Sequence, residues 1–260
     1  MPQSFADDVQ TFAEVGCHGM EVWLTKLEKH LEQSSIAETK QLLAKRQMTL
    51  AAAAYQGGLL VSQGAARKEH FEHFKRRLEL CREFDIPTLL VIADFVETID
   101  ASSVERAIVL LKEAGRLAAS YGVRLALEFR SSATFCTSLD TAVALVSQCG
   151  EANIGINFDV FHFYTGPSKT EDLALLSRDN LFFVQLADLA GVPRELASDS
   201  DRVLPGEGDF RLEPIMQRLR EIGYEGWVSL ELMNPVLWQT KATSVAELGF
   251  SALERVVKGK

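Results

Sequence analysis

Short apolar runs alternate with amphipathic helical segments along this chain of 260 residues, and this alternation constrains its fold most. Seven runs have the length and residue types of buried strands, at 20–24, 48–54, 88–94, 124–129, 154–159, 182–188 and 227–232. Helices are predicted at 5–15, 34–47, 66–85, 102–120, 138–149, 168–178, 211–222 and 242–258. Repeated strand–helix units predict an α/β protein with a parallel sheet, and for this many units a (β/α)8 TIM barrel.

The predicted barrel lacks or shortens its first strand, because the chain enters directly on helix 5–15. Buried strand edges with unsatisfied backbone groups are avoided in folded proteins, so the gap between strands 20–24 and 227–232 should be closed or covered. Residues 1–4, direct contact of the two edges, or a neighbouring subunit could close it. Four residues span at most about 14 Å. We therefore expect partial closure aided by a homodimer.

Composition and charge limit the class of protein. No Pro/Gly/Ser-rich linker interrupts the sequence, which predicts a single domain over residues 1–260. The formal net charge of −9 argues against a nucleic-acid partner, since such proteins need a basic surface. No signal peptide and no run of about 18 apolar residues is present, so we expect no membrane partner and a cytoplasmic location. The four cysteines form no CxxC pair and are expected to be reduced.

Residues able to bind a hard metal ion recur where the last four predicted strands end. They are Glu128, Asp159 with His162, Gln185 with Asp188, and Glu231. Any one of them alone is more simply a solvated strand end or a salt-bridge partner. In a parallel barrel, however, the carboxyl ends of successive strands converge on one mouth. The recurrence in four successive strands therefore predicts a single metal site and a metalloenzyme.

The strand sequences resemble a known family, the xylose isomerase-like TIM barrels, which are sugar phosphate isomerases and epimerases in the broad sense. GMEVWL looks like the second strand of that family, LALEF the fifth, NFDVFH the sixth, VQLAD the seventh and VSLEL the eighth. The segment 201–235, DRVLPGEGDFRLEPIMQRLREIGYEGWVSLELMNP, is similar to the same region of 2-keto-myo-inositol isomerases and 3-dehydroshikimate dehydratases. The resemblance spans nearly the whole chain after the missing strand.

The resemblance implies a set of metal ligands. The family holds one divalent ion with a Glu on strand five, an Asp on strand six, a His or Gln on strand seven and a Glu on strand eight. The matching residues here are Glu128, Asp159, Gln185 and Glu231. Oxygen ligands of this kind favour Mg²⁺ or Mn²⁺ over Zn²⁺, and Co²⁺ stays open. Gln185 stands where relatives have His, which weakens the case for zinc.

The resemblance also implies roles in proton transfer. Glu128 and Glu231 match the acid/base pair of the family, which moves a proton between neighbouring carbons through an enediolate. His162 and Arg202 would bind the substrate oxygens. The predicted activity is a metal-dependent sugar or keto-polyol isomerase or epimerase.

Acidic residues near Arg202 restrict the substrate. Glu207 and Asp209 lie in the loop at 201–209 and would repel a phosphate. We therefore expect an unphosphorylated sugar, keto-inositol or related polyol.

Three other functions compete with this prediction. A 3-dehydroshikimate dehydratase uses a similar Glu/Asp/Gln/Glu site and differs in expelling water after proton abstraction. An apurinic endonuclease shares the fold, but its histidine-rich multi-zinc site conflicts with the few histidines and acidic charge here. A non-catalytic sugar-binding barrel would be expected to have lost a ligand, and none is lost. Within the site, Asp188 is predicted to be structural, and Glu21 is placed outside it.

Overall fold

The computed structural model describes residues 3–93 and 98–259, and one parallel sheet of seven strands dominates it. Its strands, in spatial order, are β1 (Gly19–Trp23), β2 (Thr49–Gln56), β3 (Thr88–Ile92), β4 (Arg124–Glu128), β5 (Ile154–Asp159), β6 (Leu181–Leu186) and β9 (Val228–Leu230). Two short antiparallel strands, β7 (Asp188–Leu189) and β8 (Arg202–Val203), form a separate pair. The sheet forms a nearly closed barrel, which confirms the predicted TIM barrel short of one strand.

Helices surround the sheet. In the described part of the chain they are α1 (Phe5–Glu14), α2 (Leu24–Leu31), α3 (Ile36–Lys45), α4 (Gly64–Glu83), α5 (Ala101–Ser120), α6 (Leu139–Cys149), α7 (Val160–Thr165), α8 (Leu212–Glu221), α9 (Pro235–Trp238) and α10 (Ala242–Lys258). Ser4 and Ser35 begin α1 and α3 with capping boxes that satisfy otherwise unpaired backbone N–H groups. None of these helices combines the length and apolar composition needed to cross a bilayer.

The structure differs from the prediction in several elements. The helix predicted at 168–178 is only a 3-10 helix, Thr170–Leu175. The unpredicted α7 follows β5 at once, because the side chain of Asp159 caps it by accepting the Phe161 N–H at 2.8 Å. The helix predicted at 102–120 begins one residue earlier, at Ala101, and Asp100 caps it by accepting the Ser103 N–H at 2.9 Å. The strand predicted at 88–94 ends at Ile92, and its Asp94 lies outside the described residues.

Side chains of the central strands alternate between the helical layer and the barrel interior. Leu125 and Leu127 belong to the core that the helices cover, whereas Ala126 packs with Phe183 in a smaller interior cluster. Residues two apart on a strand share one face. Glu128 therefore points into the barrel as Ala126 does, and the site residues lie above an apolar floor.

The missing strand leaves an opening. β1 and β9 are the two ends of the sheet, and no pairing joins them within residues 3–93 and 98–259. A cavity of about 400 Å³ lies between them and reaches Glu21 and Glu231. Ser4 caps α1 instead of extending the sheet, and residues 1 and 2 lie outside the described range. Neither direct pairing of the edges nor a strand formed by residues 3–4 closes the gap, and the homodimer stays a prediction.

Candidate metal centre

The four predicted ligands lie at the same level of the barrel. Glu128 and Asp159 end β4 and β5, and Gln185 is the penultimate residue of β6. Glu231 directly follows β9, where its backbone N–H donates to Leu186 O at 3.1 Å. Asp159 is in register with Gln185 across the β5–β6 pair. The strand ends thus bring all four predicted side chains to one mouth of the barrel, but Glu231 is not among the residues whose donor atoms lie within 4.8 Å of one another.

Arg202 joins two of these residues. Its guanidinium donates to Asp159 from Nη1 to Oδ1 at 3.2 Å and from Nη2 to Oδ2 at 2.7 Å. Nη1 also lies 3.0 Å from Glu231 Oε2. The guanidinium stacks 4.4 Å above the Phe161 ring and bonds Asp199 Oδ1 at 2.7 Å. Arg202, predicted to bind substrate, therefore sits fully buried beside two predicted metal ligands.

His162 faces the same carboxylates. Its Nε2 lies 3.5 Å from Glu128 Oε1 and 3.6 Å from Asp159 Oδ2. Donor atoms of these three residues lie within 4.8 Å of one another. The imidazole is therefore placed either to contact an ion held by the carboxylates or to contact its substrate.

The hydrogen bonds behind His162 fix its tautomer. Thr165 donates its hydroxyl to the Phe161 carbonyl at 2.8 Å, so the Ser131 hydroxyl donates to Thr165 Oγ1, also at 2.8 Å. Ser131 Oγ then accepts from His162 Nδ1 at 3.1 Å. The proton on Nδ1 leaves Nε2 as an acceptor that faces the site, where Arg202 Nη2 lies 3.5 Å away.

Gln185 connects to Glu128 through a residue that the sequence reasoning missed. Asn157 Nδ2 donates to Gln185 Oε1 at 2.5 Å and to Glu128 Oε2 at 2.9 Å. Gln185 Nε2 donates to Glu21 Oε1 at 2.8 Å, so the structure places Glu21 in the site from which the prediction excluded it. Asn157 lies two positions before Asp159, and the two-residue period of a strand could have identified it.

Electrostatics in the mouth favour an added cation. Burial, and then the charge of Asp159, raise the pKa of Glu128 to about 8. Burial likewise raises the pKa of Glu21 to about 7 and that of Glu231 well above its ordinary range. These carboxyl groups are costly to ionise together without more positive charge than Arg202 supplies.

The pKa values of Asp159 and His162 are lowered, in contrast to those of the glutamates. Burial would raise the pKa of Asp159, but the charge and hydrogen bonds of Arg202, together with His162, hold it at about 2. Burial lowers the pKa of His162 to about 4, so the imidazole is neutral near pH 7. Asp159 is thus an ionised oxygen donor, and His162 a neutral nitrogen donor.

The donor set fits a divalent cation. Carboxylate and amide oxygens from Glu128, Asp159, Gln185 and Glu231 match the preferences of hard ions. Glu231 Oε2 is also buried without a hydrogen-bond partner, although Arg202 lies close to it. A cation would satisfy this oxygen and offset the excess of carboxylates.

Asp188 organises the loop beyond β6. Its carboxylate accepts the backbone N–H groups of Gly206 at 3.0 Å and Phe210 at 2.9 Å, which gives it the structural role predicted from the sequence. Gly206 has φ +82°, and a Cβ on Gly208 would lie 2.4 Å from Asp188 Oδ1. Both glycines are therefore needed for the loop to fold against the barrel.

The same loop brings a further acid over the mouth. Asp199 begins a short 3-10 helix, Asp199–Asp201, and pairs with Arg130 at 2.9 Å as well as with Arg202. Asp199 and Arg130 are 69 positions apart, and no local pattern signals their contact.

Comparison with known proteins supports the resemblance. The chain is 34% identical over 182 residues to the inosose isomerase of Halalkalibacterium halodurans, a match that covers 68% of this chain and 64% of that protein. It is 28% identical over 169 residues to the 3-dehydroshikimate dehydratase of Pseudomonas aeruginosa, covering 64% of this chain and 26% of the relative. The aligned region thus spans just under two thirds of the inosose isomerase.

Structural comparison gives the same fold. The crystal structure of the IolI protein with a bound zinc atom superimposes with a TM-score of 0.93 at 22% identity, covering 99% of this chain and 94% of IolI. The sequence profile described as xylose isomerase-like TIM barrel matches residues 9–255, from within α1 to within α10. With the barrel, the acidic mouth and this match in agreement, the chain belongs to the xylose isomerase-like TIM barrel family.

Proposed function

We propose that this protein is a divalent-metal-dependent isomerase or epimerase that acts on an uncharged sugar or keto-polyol, with keto-inositols as the first candidates. The observation that carries the proposal is the grouping of Glu128, Asp159, Gln185 and Glu231 inside one end of the barrel. Similarity to inosose isomerases supports the isomerase class.

Glu128, Asp159, Gln185 and Glu231 would hold the ion. When bound, it would act as a Lewis acid that stabilises negative charge developing on the substrate oxygens. Mg²⁺ or Mn²⁺ suits these four oxygen donors best. The nitrogen of His162 suits zinc as well, and the similar IolI structure contains zinc. The assay must therefore compare several metal ions.

Two glutamates are positioned to move the proton. One carboxylate takes the proton from the hydroxyl-bearing carbon next to the carbonyl, which gives an enediolate. A second carboxyl group gives a proton to the former carbonyl carbon, and the hydroxyl proton moves to the former carbonyl oxygen. We assign these roles to Glu128 and Glu231.

His162 and Arg202 would orient the substrate. Nε2 of His162 would accept a hydrogen bond from a substrate hydroxyl, since Ser131 holds the proton on Nδ1. Arg202 keeps Asp159 ionised, and because its guanidinium already donates to Asp159 and Asp199, it would orient the substrate through these carboxylates. Both side chains are almost completely buried, which limits their alternative rotamers and fixes the register of the substrate.

The charge of the mouth supports an uncharged substrate. Glu21, Glu128, Asp159 and Glu231 face Arg202, and the second arginine nearby, Arg130, is paired with Asp199. After one divalent ion is added, the site residues among 3–93 and 98–259 provide no surplus cation for a carboxylate or phosphate. This argues against the dehydratase alternative, because 3-dehydroshikimate carries a carboxylate.

The test is an assay of the protein with Mg²⁺, Mn²⁺, Co²⁺ or Zn²⁺ against keto-inositols, ketohexoses and 3-dehydroshikimate in D₂O. We expect deuterium to enter the carbon next to the carbonyl of a polyol substrate without loss of water. Turnover of 3-dehydroshikimate with elimination of water would show that the protein is a lyase and not an isomerase. Absence of turnover on every substrate with every metal would contradict both the isomerase and the lyase hypotheses.

A further inference from the structure

The carboxamide of Gln185 is held from both ends. Its Nε2 donates to Glu21 Oε1 at 2.8 Å, and its Oε1 accepts from Asn157 Nδ2 at 2.5 Å. Asn157 uses the same Nδ2 to bond Glu128 Oε2 at 2.9 Å. These bonds connect β1, β6, β5 and β4 across the interior of the barrel.

Only one orientation of the amide satisfies these partners. If the amide were reversed, Nε2 would face the donor group of Asn157, and Gln185 Oε1 would face the oxygens of Glu21. A donor would then face a donor, and an acceptor would face acceptors, in a site largely shielded from water, where unmet hydrogen bonds are costly. Glu21 and Asn157 therefore determine which atom of Gln185 points to the carboxylates.

We infer that Glu21 and Asn157 are positioning residues that make Gln185 an oxygen donor to the metal. The inference rests on the proposed metal site and extends it to two residues that do not themselves bind the ion. An amide nitrogen has no lone pair available for a cation, so a Gln185 free to rotate would lose much of its value as a ligand. The Oε1 atom has two lone pairs, and Asn157 occupies one of them.

A double-mutant cycle separates positioning from simple charge. The variants are Glu21→Leu, Glu21→Gln, Gln185→Leu and the double variant, and Mn²⁺ affinity is measured by calorimetry. Glu105→Gln, an exposed change on α5, is the matched control. Glu21→Leu should weaken Mn²⁺ binding by about 10-fold or more, as is usual when the group that orients a ligand is lost.

Glu21→Gln keeps an acceptor for Gln185 Nε2 and should retain most of the affinity. In the Gln185→Leu background, Glu21→Leu should cost no more than about twofold, because it has no amide left to orient. Asn157→Ser offers a second route, since it shortens the donor without placing an apolar group in the interior. We expect it to weaken Mn²⁺ binding as well, and thermal unfolding checks that each variant is folded.

Three results would overturn the inference: unchanged affinity in folded Glu21→Leu, an equal loss in Glu21→Gln, or an equal loss with and without Gln185. The last two would mean that the charge of Glu21 acts on the ion directly. Failure of the unmodified protein to bind Mn²⁺ would overturn the proposed metal site and this inference together. Normal binding with insensitive variants would overturn the inference alone.

Discussion

Arg202 binds Asp159 through two nearly parallel hydrogen bonds, Nη1 to Oδ1 at 3.2 Å and Nη2 to Oδ2 at 2.7 Å, inside the mouth of the barrel. The same guanidinium lies 3.0 Å from Glu231 Oε2 and 2.7 Å from Asp199 Oδ1. This places a permanent positive charge between two proposed metal ligands. The stability of the site without metal should therefore depend on Arg202.

Arg202→Met should destabilise the metal-free protein by about 3–5 kcal/mol, because it leaves buried carboxylates without their cation. Arg202→Lys should recover only part of this loss, since lysine cannot form the two-pronged contact. Urea unfolding of each variant measures the effect, and Mn²⁺ should restore more stability to Arg202→Met than to the unmodified protein. Equal stability of Arg202→Met and the unmodified protein without metal would contradict this account.

Glu231→Gln should retain the fold and lose about 10²–10⁴-fold in turnover, which is the usual contribution of a positioned acid/base group. The change removes the proposed proton-transfer group and keeps an oxygen in its place. Glu105→Gln is the control, because Glu105 is exposed on α5 and should leave turnover unchanged. Steady-state kinetics at saturating metal provide the measurement. Full activity of Glu231→Gln would remove Glu231 from the mechanism.

Metal binding should release a proton near neutral pH. The pKa of Glu128 is raised to about 8 by burial and by Asp159, so at pH 7 this carboxyl group is largely protonated without metal, and a cation displaces the proton. Mn²⁺ affinity should therefore increase from pH 6 to pH 8. Calorimetry in two buffers of different ionisation enthalpy counts the protons, and a heat that is independent of the buffer would refute the assignment.

The same shift affects folding in the opposite direction. Because the folded state holds the proton of Glu128 more tightly than the unfolded chain does, its contribution to metal-free stability is full below the unfolded pKa of about 4.5 and is lost as pH rises through about 8. Asp159, with its pKa held at about 2, contributes stability that is lost only under strongly acidic conditions.

Much of the site could be predicted from local pattern. The period of two within strands and the convergence of strand ends place Glu128, Asp159, Gln185 and Glu231 at one level. The count of seven strands follows from the seven apolar runs. These features depend on neighbours within a few residues. They can therefore be predicted without knowledge of any long-range contact.

The contacts between strands could not be predicted in this way. Glu21 and Gln185 meet across 164 positions of sequence, and Asp199 meets Arg130 across 69, so neither pair leaves a local signal. The helix α7 was missed because its cap, Asp159, was interpreted only as a possible metal ligand. One side chain can serve both purposes, and sequence pattern alone does not separate them.

Gly208→Ala should destabilise the protein by about 1–3 kcal/mol, since the added Cβ would crowd the Asp188 carboxylate and the Leu189 carbonyl, both 2.4 Å away. Gly57→Ala is the control, because a Cβ there would meet only Ile92 at an ordinary 3.4 Å. Thermal unfolding compares the two. Equal effects at both positions would show that the Asp188 loop tolerates displacement.

Crystals grown with Mn²⁺, with data collected at the manganese absorption edge, test the central claim most directly. We expect one anomalous peak inside the barrel mouth, with oxygens of Glu128, Asp159, Gln185 and Glu231 within about 2.0–2.4 Å of it. Replacement of Asp159 by Asn should weaken or abolish the peak. A fully occupied manganese that lies elsewhere, or a mouth that stays without manganese at concentrations that support turnover, would contradict the account.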